Sequence, residues 1–252
     1  MTLLSEAPLH KLQFYVTTAY ACGYLPNQRA QSLIATPQHL IDAPIYSGLI
    51  QQGFRRSGKF AYRPHCEQCN ACTPVRLLVN EFTPNRSQKR SFKQHQNLSV
   101  SILPLAFHQD HFELYSAYQA ARHDDDAKDK GNANQESKDS KANQYRDFLV
   151  ESNVDTLMIE FRMDGALKMV SVIDVLSDGI SAVYTYYETN DLRTSYGTFN
   201  VMWLSEWTRE LALPYLYLGY WIKNSQKMAY KQNFKPQQAL IDGEWLALNQ
   251  AY

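Results

Sequence analysis

Between Asp155 and Glu188 the chain carries three runs rich in β-branched and aromatic residues, DTLMIEFRM, LKMVSVIDVLSD and ISAVYTYYE, divided by the pairs Asp164-Gly165 and Asp178-Gly179. An Asp-Gly pair between two such runs is a strong hairpin signal, because both residues tolerate the positive φ angles of a turn whose twist matches its strands. The pattern therefore predicts three antiparallel strands. The run GTFNVMWLSEWTRELALP follows, with Phe199, Met202, Trp203 and Trp207 at helical spacing and a stop before Pro214. YLYLGYW then reads as a fourth, aromatic strand. KNSQKMAYKQNFKP reads as a second helix in which Lys223, Lys227, Lys231 and Lys235 recur every four residues. Three strands, a helix, a strand and a helix describe an α+β domain.

The first half is less regular. A helix is predicted across PQHLIDAPIYSGLIQQG from the stripe Ile41, Ile45, Leu49 and Ile50, and RLLVNEF and LSVSILPL read as strands. We divide the chain into residues 1–103, a smaller cysteine-containing N-terminal subdomain, and residues 104–252, the α+β domain. Phe107, Phe112, Leu114, Tyr115 and Tyr118 fit a short amphipathic helix. After it, residues 123–144 hold six acids and four lysines with no large apolar residue, so a mobile, solvated loop is predicted inside the second domain. A length of 252 residues with 44% apolar and 20% charged residues is globular usage, which excludes a wholly disordered, collagen-like or coiled-coil chain. The opening segment lacks the basic and apolar regions of a secretion signal, and no stretch has the ~18 to 20 apolar residues that cross a bilayer. A cytoplasmic protein with no membrane partner is expected.

Cys66-Glu-Gln-Cys69-Asn-Ala-Cys72 places three thiols at three-residue intervals, and Cys22 or His65 completes a candidate set for zinc or an iron-sulfur cluster. Buried or free cysteines are the alternative. Because 25 Lys/Arg balance 25 Asp/Glu, a polyanion has to be held by a local patch. Two patches offer themselves: Arg55, Arg56 and Lys59 in GFRRSGKF, and Arg86, Lys89, Arg90 and Lys93 in NRSQKRSFKQHQ, which has no acid. Phe54, Phe60, Tyr62 and Phe92 interleave with them, as base stacking requires, although a solvated face gives the same pattern. No GxGxxG, Walker A loop, HExxH or GxSxG occurs, so dinucleotide, P-loop, zincin and serine-hydrolase chemistries lose their main support.

The runs GFRRSGKFAYRPHCEQCNACTPVRL, VIDVL, SAVYTYYE, SYGTFNVMWLSEWTRELALPYLYLGYWI and KMAYKQNFKP closely resemble the tRNA-dependent protein N-terminal aminoacyltransferases, the arginyl-tRNA–protein transferase family, and within it the bacterial branch. The match runs from about Phe14 to Ala247. The resemblance implies a GNAT-like acyltransferase fold for the second half. It also implies transfer of leucine from leucyl-tRNA to proteins with N-terminal Asp or Glu, marking them for the N-degron pathway, with no cofactor required for the chemistry. Eukaryotic members carry a CxxC at the N-terminus; here Leu25 stands three residues after Cys22. An acyl-CoA-dependent N-acetyltransferase and a non-catalytic RNA-binding zinc-knuckle adaptor are the alternatives.

An aminoacyl ester is an activated donor and an α-amino group has a pKa near ~7.7 to 8.0, so positioning dominates the chemistry. In a GNAT-like fold a splayed strand supplies backbone N–H donors to the oxyanion, and Leu218 to Tyr220, with Gly219 allowing close approach, is the candidate here. An acidic acceptor calls for a cation. Within the matched runs Arg56, Arg63, Tyr186, Lys227, Tyr230 and Lys231 are the substrate-binding candidates, and Arg86, Lys89, Arg90 and Lys93 the tRNA-binding ones. Asp174, alone in VSVIDVL, is read either as the group that receives the acceptor ammonium or as half of a salt bridge across the sheet.

Overall fold

The structure is a computed structural model and describes residues 11–127, 138–190 and 194–248. Its strands are β1 (Gln13–Val16), β2 (Tyr20–Ala21), β3 (Arg29–Ala30), β4 (Ser32–Thr36), β5 (Arg55–Ser57), β6 (Phe60–Pro64), β7 (Thr73–Leu78), β8 (Ser99–Pro104), β9 (Thr156–Met163), β10 (Ala166–Val175), β11 (Gly179–Tyr187), β12 (Tyr215–Trp221), β13 (Gln237–Ile241) and β14 (Glu244–Ala247). The helices are α1 (Ala43–Gln51), α2 (Arg86–Gln94), α3 (Gln109–Ala127), α4 (Lys138–Tyr145), α5 (Tyr196–Glu210) and α6 (Gln226–Ala229). An eight-stranded sheet runs β14-β13-β7-β12-β11-β10-β9-β8, and a four-stranded sheet runs β1-β4-β6-β5.

The meander expected from the Asp-Gly pairs forms. β9, β10 and β11 are consecutive antiparallel neighbours, and Asp164 and Gly165 take φ of 51° and 82° at the first turn. The period of two sends Ile159, Phe161, Met169 and Ile173 to one face, under Phe199, Met202 and Leu204 of α5. Met158, Val170, Val172 and Tyr186 go to the other, against Phe112 of α3 and Tyr145 of α4. Strand α5 leads to is β12, which pairs parallel to β11, as a helical crossover requires. α1 starts at Asp42, whose side chain accepts from the Ile45 N–H, and its Ile45, Leu49 and Ile50 join Phe54 and Ala61 in the core of the smaller sheet.

β7 lies inside the large sheet between β12 and β13, and β8 is one of its two edge strands, so residues on both sides of position 103 build that sheet. The central place of β7 is set by pairing with strands that come more than a hundred residues later, which periodicity does not register. The lysine-striped segment is not a continuous helix. It is one turn, α6, followed by a 3-10 turn at Tyr230–Asn233, and Lys231 points inward and is buried while Lys223, Lys227 and Lys235 are exposed. Pro236 and the entry of the chain into β13 end the helix early. Finally, the charged segment is not a loop throughout: α3 reaches Ala127 and α4 begins at Lys138, with residues 128–137 outside the described ones.

Candidate functional site

β11 and β12 pair only between Gly179–Ser181 and Tyr215–Tyr217. Beyond that point they part. The cause lies in β12, where Gly219 adopts φ of 76° and the register with β7 slips between Tyr217 and Gly219. A bulge at that place bends the strand away from its neighbour. Arg55, at the start of β5, reaches across from the smaller sheet into the opening. Its Nη2 donates to the carbonyls of Ala182 (2.5 Å) and Val183 (3.4 Å), and its Nη1 to Oγ of Ser181 (3.4 Å). On the opposite side the guanidinium lies against Gly219: a Cβ there would stand 3.0 Å from Arg55 Cζ. Gly219 is thus needed both for its φ and for its missing side chain.

Lys231 enters the same place from the 3-10 turn, donating from Nζ to the Tyr220 carbonyl at 2.7 Å. Burial, and then the charge of Arg55, push its pKa down from 10.5 to about 7. The field of Arg55 also reaches Tyr24, Tyr62, Tyr220 and Tyr46, whose hydroxyls burial holds above their ordinary range and whose phenolate forms Arg55 favours. Arg55 is therefore the electrostatic centre of a site to which β2–β3, α1, β6, β12 and the 3-10 turn all contribute. The sequence marks it only as one of two adjacent arginines, and nothing local says which of them turns to the large sheet's opening.

Strand alternation separates the two. Arg56 turns the other way and meets Asp174 on β10, with Nε 2.8 Å from both carboxylate oxygens and Nη2 2.8 Å from Oδ1. Thr156, the register partner of Asp174 on β9, donates from Oγ1 to Oδ1 at 2.7 Å. Asp174 is wholly buried and Arg56 nearly so. Burial pushes the carboxyl up, against the pull of Arg56 and Thr156. Two residues expected to face substrate thus face each other, and of the two readings of Asp174 the geometry is that of the salt bridge.

The remaining candidates divide. Gly219, Tyr220 and Lys231 converge on the opening, although the Tyr220 hydroxyl is committed to the Gly53 carbonyl at 2.8 Å, leaving its backbone to face the site. Arg63 stacks on Phe54 with Cζ 5.1 Å from the ring centre and donates to the Gln52 carbonyl. Tyr186 is buried on the other side of the sheet, its hydroxyl 2.8 Å from that of Tyr145. Tyr230 and Lys227 lie on the exposed side of the short turns, with the Tyr230 ring against Phe234. Arg86, Lys89, Arg90 and Lys93 all lie on α2 at spacings that share one face, and all are exposed. Asn85 and Gln88 close a capping box at the start of α2. Gln88 also donates to the Asn233 carbonyl at 3.0 Å, which ties the basic helix to the turn that carries Lys231.

Cys22, Cys66, Cys69 and Cys72 gather beside the site, all half-buried, whereas His65 is exposed. The thiol of Cys72 is pushed up to about 12 by burial and then by the other three. Among the described residues no group of three His, Cys, Asp or Glu side chains is placed to hold a metal ion. No helix among the described residues is long and apolar enough to cross a membrane.

Among known proteins, the chain is 65% identical over 245 residues to an aspartate/glutamate leucyltransferase from Methylobacillus flagellatus, covering 97% of this chain and 95% of that one. It is 51% identical to the protein of the same name from Nitrosospira multiformis, with 97% and 94% covered. Among solved structures, the L-PGS of Bacillus licheniformis superposes on 60% of this chain and 47% of that one at 12% identity and a TM-score of 0.42, too weak a likeness to carry an argument. Family models described as arginine-tRNA-protein transferase match the N terminus over residues 20–90 and the C terminus over residues 110–241. The strands that open around Arg55, the loop that brings the cysteines and the turn that delivers Lys231 all lie within those matches, and the chain belongs to the arginine-tRNA-protein transferase family.

Proposed function

We propose that this protein transfers leucine from leucyl-tRNA to the N-terminal amino group of proteins that begin with Asp or Glu. The observation that carries the reading is near-full-length identity of 65% to a relative named for that reaction. The opening between β11 and β12 supports it, because it offers strand backbone and two cations side by side. In the reaction the acceptor's neutral α-amine attacks the ester carbonyl and a tetrahedral oxyanion forms. The new amide keeps the leucyl group, the amine loses a proton, and the ribose oxygen of the tRNA leaves with one. Ester activation makes a side-chain nucleophile unnecessary, so alignment of amine and carbonyl supplies most of the acceleration. The bulge at Leu218–Tyr220 is the part of β12 that we assign to the oxyanion, in a GNAT-like arrangement of the second half.

Four exposed cations on one face of α2, with no acid in the helix, suit the phosphates of the tRNA body. Charged tRNA is made in the cytoplasm, where we place the reaction and where an added leucine serves as a degradation mark. A panel of peptides differing only in the first residue, incubated with radiolabelled leucyl-tRNA, tests the assignment. Transfer to peptides that begin with Asp and Glu, and little to Ala, is expected. Equal transfer to Ala and Asp would end the claim of acidic selectivity, and transfer from acetyl-CoA in place of leucyl-tRNA would end the rest.

A further inference from the structure

We propose that Arg55 and Lys231, which bracket Gly219–Tyr220 in the opening between β11 and β12, together bind the side-chain carboxylate of the acceptor's first residue. The inference rests on the leucyl-transfer reading and names the residues that give it selectivity.

Charge balance carries the argument. Arg55, Arg56 and Lys231 enter the junction of the two sheets, and the carboxylate that meets them from the large sheet is Asp174. Asp174 is taken up by Arg56 and Thr156. Arg55 hydrogen-bonds only to neutral groups, the carbonyls of Ala182 and Val183 and the hydroxyl of Ser181, and reaches Asp174 only through its field, while Lys231 donates to one group, the carbonyl of Tyr220. A guanidinium offers five N–H donors and an ammonium three, so both retain donors with no protein acceptor among the described residues. Lys231 is buried and Arg55 half-buried; a cation drawn out of water without an anion is costly, and a protein that keeps two of them together has a place for a negative group.

The dimensions point to the first side chain of the acceptor. Arg55 touches Gly219 and Lys231 touches Tyr220, adjacent residues of the strand we assign to the oxyanion. An Asp or Glu carboxylate lies within a few bonds of the attacking α-amine, so a carboxylate held here puts that amine beside the reacting strand. Arriving between the cations, it also favours the protonated form of Lys231, which burial and then the charge of Arg55 oppose. Tyr62 at the margin, half-buried, lowers the local dielectric and strengthens the pairing.

The experiment compares kcat/KM for peptides beginning with Asp and with Asn, which have the same shape and differ in charge, in the full-length protein and in Arg55→Gln, Arg55→Lys and Lys231→Met. The proposal expects the Asp-over-Asn preference to fall by about 10²-fold in Arg55→Gln, since one partner of a desolvated charge pair is lost. Arg55→Lys should restore part of it, and Lys231→Met should lower it as well. A preference that stays at the wild-type value while both peptides slow together would assign the cations to the oxyanion or to tRNA and overturn the proposal. Because a variant that misfolds would be uninformative, the wild-type protein gives a second readout: the 13Cε resonance of Lys231 should move on titration with the dipeptide Asp-Ala and stay in place with Asn-Ala. Equal movement, or none with either, overturns it too. A wild-type protein that transfers leucine to neither peptide would instead refute the leucyl-transfer reading itself.

Discussion

Replacing Asp174 by Asn keeps the side chain's shape and removes its charge, and the structure sets the size of the consequence. Arg56 makes its charged contacts to Asp174 at 2.8 Å, with side-chain exposures of 3% and 0% for the two residues. Its other partners, the Gly58 carbonyl at 3.2 Å and the Thr156 hydroxyl at 3.0 Å, are neutral. The variant therefore strands a guanidinium in the interior. Removing one partner of a buried pair costs about 3–5 kcal/mol. For a chain of this size each kcal/mol lowers Tm by ~2–4 °C, so the expected fall is roughly 6–20 °C. Circular dichroism melting and single-turnover leucyl transfer, run on one preparation well below the transition, separate the two roles open to Asp174. We expect the lowered Tm with a single-turnover rate within ~3-fold of wild type, because the carboxylate does not face the opening; losing an acid-base partner would cost ~10² to 10⁴. The double variant Arg56→Met with Asp174→Leu should recover most of the stability, since no charge is then left alone. An unchanged Tm with transfer reduced a hundredfold or more would refute this reasoning and return Asp174 to the chemistry.

Converting Arg86, Lys89, Arg90 and Lys93 together to Ala should weaken tRNA binding and flatten its salt dependence by ~0.7–0.9 in log-log slope per lost phosphate contact; an unchanged slope marks that face of α2 as merely solvated. Gly219→Ala should cost ~1–2 kcal/mol from its φ alone, and its Cβ, 3.0 Å from Arg55 Cζ, should displace the guanidinium and reduce transfer more than stability; a fully active variant contradicts that packing. Burial of the Lys231 ammonium opposes folding in full below about pH 7, and the penalty lifts between about 7 and 10.5 as the folded form sheds its proton before the unfolded one. Lys231→Met should therefore gain stability over wild type near pH 6 and lose that advantage by pH 10, by up to ~5 kcal/mol in denaturant titrations; a pH-independent difference would place the amine in water.

Much of the molecule was legible because its determinants are local. The Asp164-Gly165 turn, the alternation along β9 to β11 and the helical spacing of Phe199, Met202 and Trp203 each specify their element within about ten residues, and each forms. The pairing of Gly219 with a bend in β12 was likewise foreseeable, since glycine is the residue that tolerates such a backbone. The stripe of Lys223, Lys227, Lys231 and Lys235 misled for the same reason: it records a period, and a period says nothing about a chain that must turn into β13 after one helical turn.

By itself the sequence determined the meander β9 to β11, the helices α1 and α5, the strand β12, the basic run that became one face of α2, and the family. Tertiary structure decided what each charge meets. Arg55 and Arg56 are adjacent and chemically identical, and alternation along β5 sends one to a carboxylate on β10 and the other to an opening between β11 and β12. The placement of β7 among strands from the far end of the chain fixes β12, whose bulge makes that opening. Those outcomes depend on contacts between residues more than a hundred positions apart, where no local pattern carries the information and only the folded sheet brings the partners together.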